Sequence, residues 1–198
     1  AILICRILYG DKLNVKQFSG VTQYNDVAAN DYYTGYINLA TQLGIINGYG
    51  DGRFGPDDTV TTAQAALMLC RALGYFKANE LATGDWALAS VAQATKIEMF
   101  GSLKLNTNDL LARDNVAEMV FNTITKAVPV HYSERWDVYY TDSQSILNGV
   151  NFNYRNTLGY ENFDLVYNDS KSDDFGRPAT EWGIGTVKSV DDKGHIDS

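Results

Sequence analysis

The stretch from Gly44 to Thr61, GIINGYGDGRFGPDDTVT, decides how this chain folds. Gly44 stands where a helix would end in the left-handed conformation, and four further glycines and one proline follow before Thr61. Regular structure cannot continue through such a run. Thr61 and Gln64 then have the spacing of a capping box, directly before the apolar run 65–70. The stretch therefore predicts a helix, a long loop and a second helix.

The same unit is repeated on both sides of this stretch. Residues 1–8 (AILICRIL) align without gaps with residues 66–73 (ALMLCRAL). Downstream, residues 85–100 align with 31–46, and residues 112–124 align with 61–73. A period of about 50 residues is typical of a repeat architecture.

This alignment predicts the organisation of the chain. We expect residues 1–127 to hold the repeats, with 1–16 ending an earlier repeat, 17–75 forming a full repeat and 76–127 a degenerate one. Residues 128–198 form a connector. Because residues 1–8 match the second helix of a repeat, the chain is expected to begin inside such a helix.

Apolar residues in the repeats recur at helical spacing, so each helix has one face to bury. Helices are predicted near residues 32–43, 62–73, 86–97 and 113–126, and residues 1–8 are predicted to form a fifth helix that docks on them. The alignment places Cys5 on Cys70, each among apolar neighbours. Such thiols are expected to be buried as small hydrophobic groups rather than to form a disulfide or half a metal site.

The pattern changes after Pro129. Short β-prone runs at 138–140, 163–167 and 185–190 are separated by clusters of Asn, Asp, Gly and Ser. Short strands of this kind are marginal in isolation. This part is therefore predicted to be irregular, with a few strands that depend on the repeats.

Composition and charge exclude several functions. The net charge of −8 argues against a nucleic-acid or anionic-membrane partner, since neither is bound without a basic patch. His131 and His195 have no Cys or His at ligand spacing, and the loop at 47–52 lacks the glutamate of a calcium loop. The sequence therefore predicts no catalytic residues, no metal and no cofactor.

Three segments resemble the S-layer homology (SLH) domain, the cell-wall anchoring module of bacterial surface proteins. They are residues 24–33 (YNDVAANDYY), 44–61 and 63–75 (AQAALMLCRALGY). The resemblance implies a mainly α fold in which helix-loop-helix repeats pack around a pseudo-threefold axis. It also implies a protein secreted to the bacterial cell surface, where it is fixed non-covalently to a wall polysaccharide that carries pyruvyl groups.

The resemblance further implies a site between repeats, built from an arginine, an aromatic residue and loop backbone. The family's T-R-A-E motif falls on 61–64 and 112–115, where Thr62 replaces the arginine and Arg113 keeps it. The carried-over ligand-binding residues are the following: Arg113 for a carboxylate, Trp86 or Tyr32 for a sugar face, Gly48 for loop backbone, Asp26 or Asp85 at the edge, and Thr62 at the altered position.

Three alternatives stay open from the sequence. The chain could be a structural subunit of a surface layer or filament, with the repeats contacting other copies or neighbouring surface-protein chains. It could be a spacer that binds nothing. It could also anchor a hydrolase whose catalytic domain lies beyond Ser198, although the residues present predict no enzyme.

Overall fold

The computed structural model describes residues 1–78, 80–81, 84–141, 154–167 and 182–184. This part of the chain contains six α-helices: α1 (Ile2–Tyr9), α2 (Thr34–Gln42), α3 (Thr62–Ala72), α4 (Trp86–Lys96), α5 (Arg113–Thr125) and α6 (Leu158–Phe163). It also contains four short strands: β1 (His131–Ser133), β2 (Val138–Tyr140), β3 (Leu165–Tyr167) and β4 (Trp182–Ile184). The predicted mainly α fold with short strands is confirmed. The run 185–190 lies outside the described residues.

The five predicted helices are present, each within two residues of its expected ends. Gly44 follows α2 with a positive φ of 70°, as the glycine that ends a helix should. The Thr61 side chain accepts a hydrogen bond from the Gln64 amide (3.3 Å), while the Gln64 side chain accepts one from the Thr61 amide (2.9 Å). The predicted capping box at the start of α3 is confirmed.

The core lies where the apolar faces of α1, α2 and α3 meet, around Ile4, Ile37 and Leu69. Cys5 and Cys70 are both free and fully buried. Burial raises the pKa of Cys70 to about 12, so the thiol stays protonated. The expectation of two small buried hydrophobic groups is confirmed.

We number the predicted repeats along the chain, so that the full repeat (17–75) is the second and the degenerate repeat (76–127) is the third. Main-chain hydrogen bonds join these two. The amides of Thr62 and Ala63, in the first turn of α3, donate to the carbonyls of Asp109 (2.9 Å) and Thr107 (3.1 Å). The amide of Leu111 donates to the carbonyl of Val60 (3.0 Å). Amides in a first helical turn have no partner within their own helix, and here the loop of the next repeat provides one.

The described parts of the connector pack on the repeats. Strands β1 and β2 form an antiparallel hairpin with Tyr132 opposite Tyr139, and the Val130 amide before it donates to the carbonyl of Leu73 (2.7 Å). Helix α6 contacts α1 and α5, and Asn162 donates to the carbonyls of Ile7 (2.9 Å) and Leu8 (3.1 Å). The boundaries of the repeats and the pseudo-threefold axis stay predictions, because α2 and α4 are the only first helices among the described repeats.

Candidate functional site

A groove of about 620 Å³ opens between the second repeat and the start of the third. One side is the glycine loop, which we define as residues 44–60. The floor is the outward face of α3, and the far wall comes from the residues leading into α4. The lining of the groove includes Gly48, Tyr49, Phe54, Asp58, Arg71, Leu81 and Trp86.

Aromatic rings dominate the open sides of the groove. Tyr49 is 49% exposed and Trp86 is 42% exposed, which is unusual for side chains that ordinarily bury most of their surface. A hydrogen bond with Asp58 raises the pKa of Tyr49 and holds its hydroxyl. Phe54 is half-buried and packs on Tyr24, with ring centroids 5.4 Å apart. The groove therefore offers apolar flat faces beside polar groups.

The glycine loop is held in one shape by the segment that precedes α2. The Asp26 carboxylate accepts hydrogen bonds from the amides of Phe54 and Gly55, both at 2.8 Å. These bonds lower the pKa of Asp26. Gly48 has a φ of 62°, and a Cβ there would lie 2.5 Å from the Arg53 carbonyl oxygen. The loop can therefore pass this point only with glycine.

Arg71 brings a positive charge into the groove from the last turn of α3. One of its guanidinium N–H groups donates to the carbonyl of Ile45 at 3.4 Å, and partial burial lowers its pKa. Among the described residues the guanidinium has no carboxylate partner. A planar fork of N–H donors suits a carboxylate, so the arrangement favours an anionic ligand group.

Part of this site lies in a segment that matches a known protein family. Residues 23–66 match the S-layer homology domain. The chain carries an S-layer homology domain. The matched segment covers the bracing residues before α2, helix α2, the glycine loop and the first turn of α3.

Three relatives of the chain are named as proteins of the cell wall, the cell surface or the surface layer. The Middle cell wall protein of Brevibacillus brevis is 31% identical over 108 residues, which is 54% of this chain and 10% of that protein. The Cell surface protein of Thermoanaerobacter kivui is 34% identical over 94 residues (48% and 12%). The Surface layer protein of Brevibacillus choshinensis is 29% identical over 121 residues (61% and 10%).

The chain spans about a tenth of the length of these curated relatives. No solved structure matches it significantly. The SLH domain, together with relatives of this kind, assigns the chain to secreted proteins of the bacterial cell surface.

Two of the residues carried over from the SLH family, Gly48 and Trp86, line the groove together. Asp85 caps α4, since its carboxylate accepts hydrogen bonds from the amides of Ala87 (2.9 Å) and Leu88 (3.3 Å). Asp26 braces the loop, as described above. Both acidic residues therefore position parts of the groove.

Tyr32 and Arg113 lie outside the groove lining. Tyr32 is 79% exposed, and its ring meets that of Tyr33 edge-on at 5.1 Å. Arg113 is exposed in the first turn of α5. The groove's cation is instead Arg71, which the motif alignment did not single out. The signal available in the sequence was an arginine within an apolar helix, repeated at Arg6.

Thr62 lies in the interior, between two repeats. The sequence placed it at the altered arginine position of the SLH motif, where a ligand would be reached. In the structure Thr62 is fully buried, and its hydroxyl donates to the carbonyl of Asp109 at 3.2 Å. Its side chain therefore packs the second repeat on the third, and a role of this position in ligand binding stays a prediction.

The third repeat has a smaller groove at the equivalent place, with a volume of about 460 Å³. Glu118 lies on its wall and accepts hydrogen bonds from the amide (3.0 Å) and the hydroxyl (2.9 Å) of Ser102. Asn122 occupies the position that corresponds to Arg71 and donates to the carbonyl of Met99 at 3.1 Å. This groove therefore has an asparagine where the first has Arg71, and its lining carries both acidic and basic side chains, namely Glu98, Glu118 and Lys126.

Two other kinds of site, a metal centre and a membrane-spanning helix, are absent from the described part of the chain. No group of three or more His, Cys, Asp or Glu side chains there is arranged to hold a metal ion, and His195 lies outside that part. No helix in it is long and apolar enough to cross a membrane.

Proposed function

We propose that the chain anchors a secreted surface protein non-covalently to the cell wall by binding a wall polysaccharide in the groove beside the glycine loop. The SLH domain and the surface-protein relatives support a general role in cell-surface anchoring. One observation carries the finer proposal. The Arg71 guanidinium, which has no carboxylate partner among the described residues, faces the same groove as two half-exposed aromatic rings.

The chemistry of the groove fits an acidic sugar chain. Aromatic faces such as those of Trp86 and Tyr49 pack against the apolar face of a sugar ring. The Arg71 guanidinium pairs with a carboxylate, such as that of a pyruvyl group. A charge-assisted hydrogen bond of this kind is worth roughly 1.5–3 kcal/mol, or tenfold and more in affinity.

Arg113 is considered separately from the residues that line the groove. It holds the arginine position of the SLH motif, but it lies outside this groove. We propose it as a second contact for a polymer long enough to pass from the groove to the start of α5. Its contribution is expected to be smaller than that of Arg71, because an exposed ion pair contributes only about 0–1 kcal/mol.

The test is a binding titration of the whole chain with isolated wall polymer, with its pyruvyl groups present and after their removal. Arg71→Gln and Trp86→Ala should each weaken binding about tenfold or more. Arg6→Gln is the matched control, because Arg6 holds the equivalent position in α1 and is exposed away from the groove. Arg113→Gln measures the second contact.

The pattern of losses decides the result. Removal of the pyruvyl groups should weaken the unmodified chain but should change little in Arg71→Gln, because the partner of the carboxylate is already missing. Equal binding by Arg71→Gln, Trp86→Ala and Arg6→Gln would contradict the groove as the site. Absence of binding by the unmodified chain would leave the repeats as a spacer or structural subunit.

One observation favours the second candidate function, a structural subunit with protein contacts. The hairpin 131–140 exposes Trp136 (69%), Val138 (38%) and Tyr140 (42%), which stand at alternate positions in the sequence. Exposed aromatic and aliphatic side chains of this kind are common at protein interfaces. Sedimentation velocity over a range of concentrations tests this candidate, and Trp136→Ser with Tyr140→Ser should abolish any association.

A further inference from the structure

The hydroxyl group of Tyr139 connects the hairpin to the linker between the second and third repeats. It accepts hydrogen bonds from the amides of Lys77 (2.9 Å) and Ala78 (3.2 Å) and donates one to the Glu80 carboxylate. The ring packs between Tyr75 (5.9 Å) and Tyr132 (5.1 Å). One side chain of the connector thus makes three hydrogen bonds to a segment about 60 residues earlier.

This linker forms part of the groove. Leu81 follows Glu80 directly and lines the far wall, together with Trp86 at the start of α4. The hairpin is itself held firmly, because the Val130 amide donates to the Leu73 carbonyl at 2.7 Å. A fixed hairpin therefore holds the backbone that carries one wall of the groove.

We propose that Tyr139 is a positioning residue for the groove, so that the hairpin after the repeats completes the binding unit. The inference rests on the proposed function for its effect on affinity, but not for its effect on the groove wall. Tyr139 lies outside the groove lining, so it acts through Leu81 and Trp86. No motif in the sequence indicates this role, since the hairpin belongs to the part without SLH motifs.

The chain offers a matched pair of variants. Tyr139→Phe keeps the ring between Tyr75 and Tyr132 and removes only the hydroxyl. Tyr132→Phe removes a hydroxyl from the neighbouring strand, where it donates to Asp137 (2.6 Å) within the hairpin and does not touch the linker. A general loosening of the hairpin would affect both variants, whereas positioning of the groove wall affects only the first.

The decisive measurement is acrylamide quenching of Trp86 fluorescence in a chain whose Trp136 and Trp182 are replaced by Phe. In this background Tyr139→Phe should increase the quenching of Trp86, and Tyr132→Phe should not. Circular dichroism shows that each variant is folded. Titration with isolated wall polymer should then show a loss of affinity of roughly three- to tenfold for Tyr139→Phe, the size expected for a lost hydrogen bond.

The two readouts separate the two proposals. Quenching of Trp86 that is the same in both variants would overturn the positioning role, whether or not the polymer binds. If the unmodified chain does not bind the polymer, the proposed function fails, while increased quenching in Tyr139→Phe alone still supports the positioning role. In a chain that does bind, equal affinities of the two variants would also overturn it.

Discussion

The groove of the second repeat and its counterpart in the third have the same supporting backbone but different lining residues. In both repeats the first helix ends with the same bond: Ile45 donates to the Ala40 carbonyl at 3.0 Å, and Met99 donates to the Ala94 carbonyl at 2.9 Å. Both alanines are fully buried. Yet Arg71 of one groove is replaced by Asn122 in the other, and Leu67 is replaced by Glu118.

The difference shows which residues are free to diverge in a repeat. Residues at the helix ends and in the core fix the backbone, and changing them costs stability. Arg71 and Glu118 are only partly buried, so the charge at such lining positions can change without loss of the fold. Binding capacity in one groove therefore gives no reason to expect the same ligand in the other.

The largest expected effect is on stability, and it concerns core residues of the second helix of each repeat. Leu69→Ala should lower the free energy of unfolding by about 2–5 kcal/mol, because it leaves a cavity in the core. Val120 holds the equivalent position in the third repeat and is only half-buried, so Val120→Ala should cost about 1 kcal/mol. Urea unfolding followed by circular dichroism measures both. Equal losses would show that the two repeats bury their second helices to the same depth.

The next effect concerns the start of the second helices. Thr62→Arg should lower the free energy of unfolding by about 1–3 kcal/mol, since the longer side chain does not fit and the bond to Asp109 is lost. The reciprocal change Arg113→Thr, at an exposed site, should stay within about 0.5 kcal/mol of the unmodified protein. Thermal unfolding of the two variants and the unmodified protein measures which substitution destabilises more. A stable Thr62→Arg chain with stronger wall binding would restore the family expectation for this position.

A smaller effect is expected where the first helices end. Gly44 has a φ of 70°, and Glu98 adopts a φ of 57° at the equivalent position. Glutamate is strained in this conformation and glycine is not, so Glu98→Gly should raise the free energy of unfolding by about 1 kcal/mol. Gly44→Glu should lower it by a similar amount, because nothing near Gly44 blocks the side chain and only the conformation opposes it. A stabilising Gly44→Glu would contradict the equivalence of the two sites.

The smallest expected effect is a pH dependence of stability, which differs between the loops of the two repeats. Asp26 braces the glycine loop from outside, whereas the loop of the third repeat is braced from within by Asp109, which accepts from the Asn106 amide at 2.7 Å. The pKa of Asp26 lies below its ordinary value of 3.8. Its contribution to stability is thus fully present above pH 3.8 and is lost as the pH falls through the lowered pKa.

Asp26→Asn is the control for this effect, because an amide cannot titrate there. Unfolding measured from pH 5 down to pH 2 should show a shallower loss of stability in Asp26→Asn than in the unmodified chain. Amide signals of Phe54 and Gly55 should shift over the same range in the unmodified chain only. Identical pH profiles for the two proteins would assign no such role to Asp26.

Local patterns predicted most of the fold. The helix ends at Gly44 and Thr61 depend on residues that are close in sequence, and they are where the sequence placed them. The groove depends on contacts between repeats. Gly48 and Trp86 could be found through the family motif, but the burial of Thr62 depends on a loop 47 residues away. Arg71 could not be distinguished from a solvated arginine, because only the folded loop shows what lies beside it.

An anchor is loaded by the protein that it holds, and α6 determines where such a load first acts. Tension that enters the described chain from its C-terminal side reaches β4, which pairs with β3, and then meets α6. The Asn162 side chain of α6 donates hydrogen bonds to the carbonyls of Ile7 and Leu8 at the end of α1. Leu158 of the same helix is buried in the core of the repeats. The force is therefore passed to the first helix of the chain and across the whole packed unit, instead of peeling the third repeat away from its neighbours.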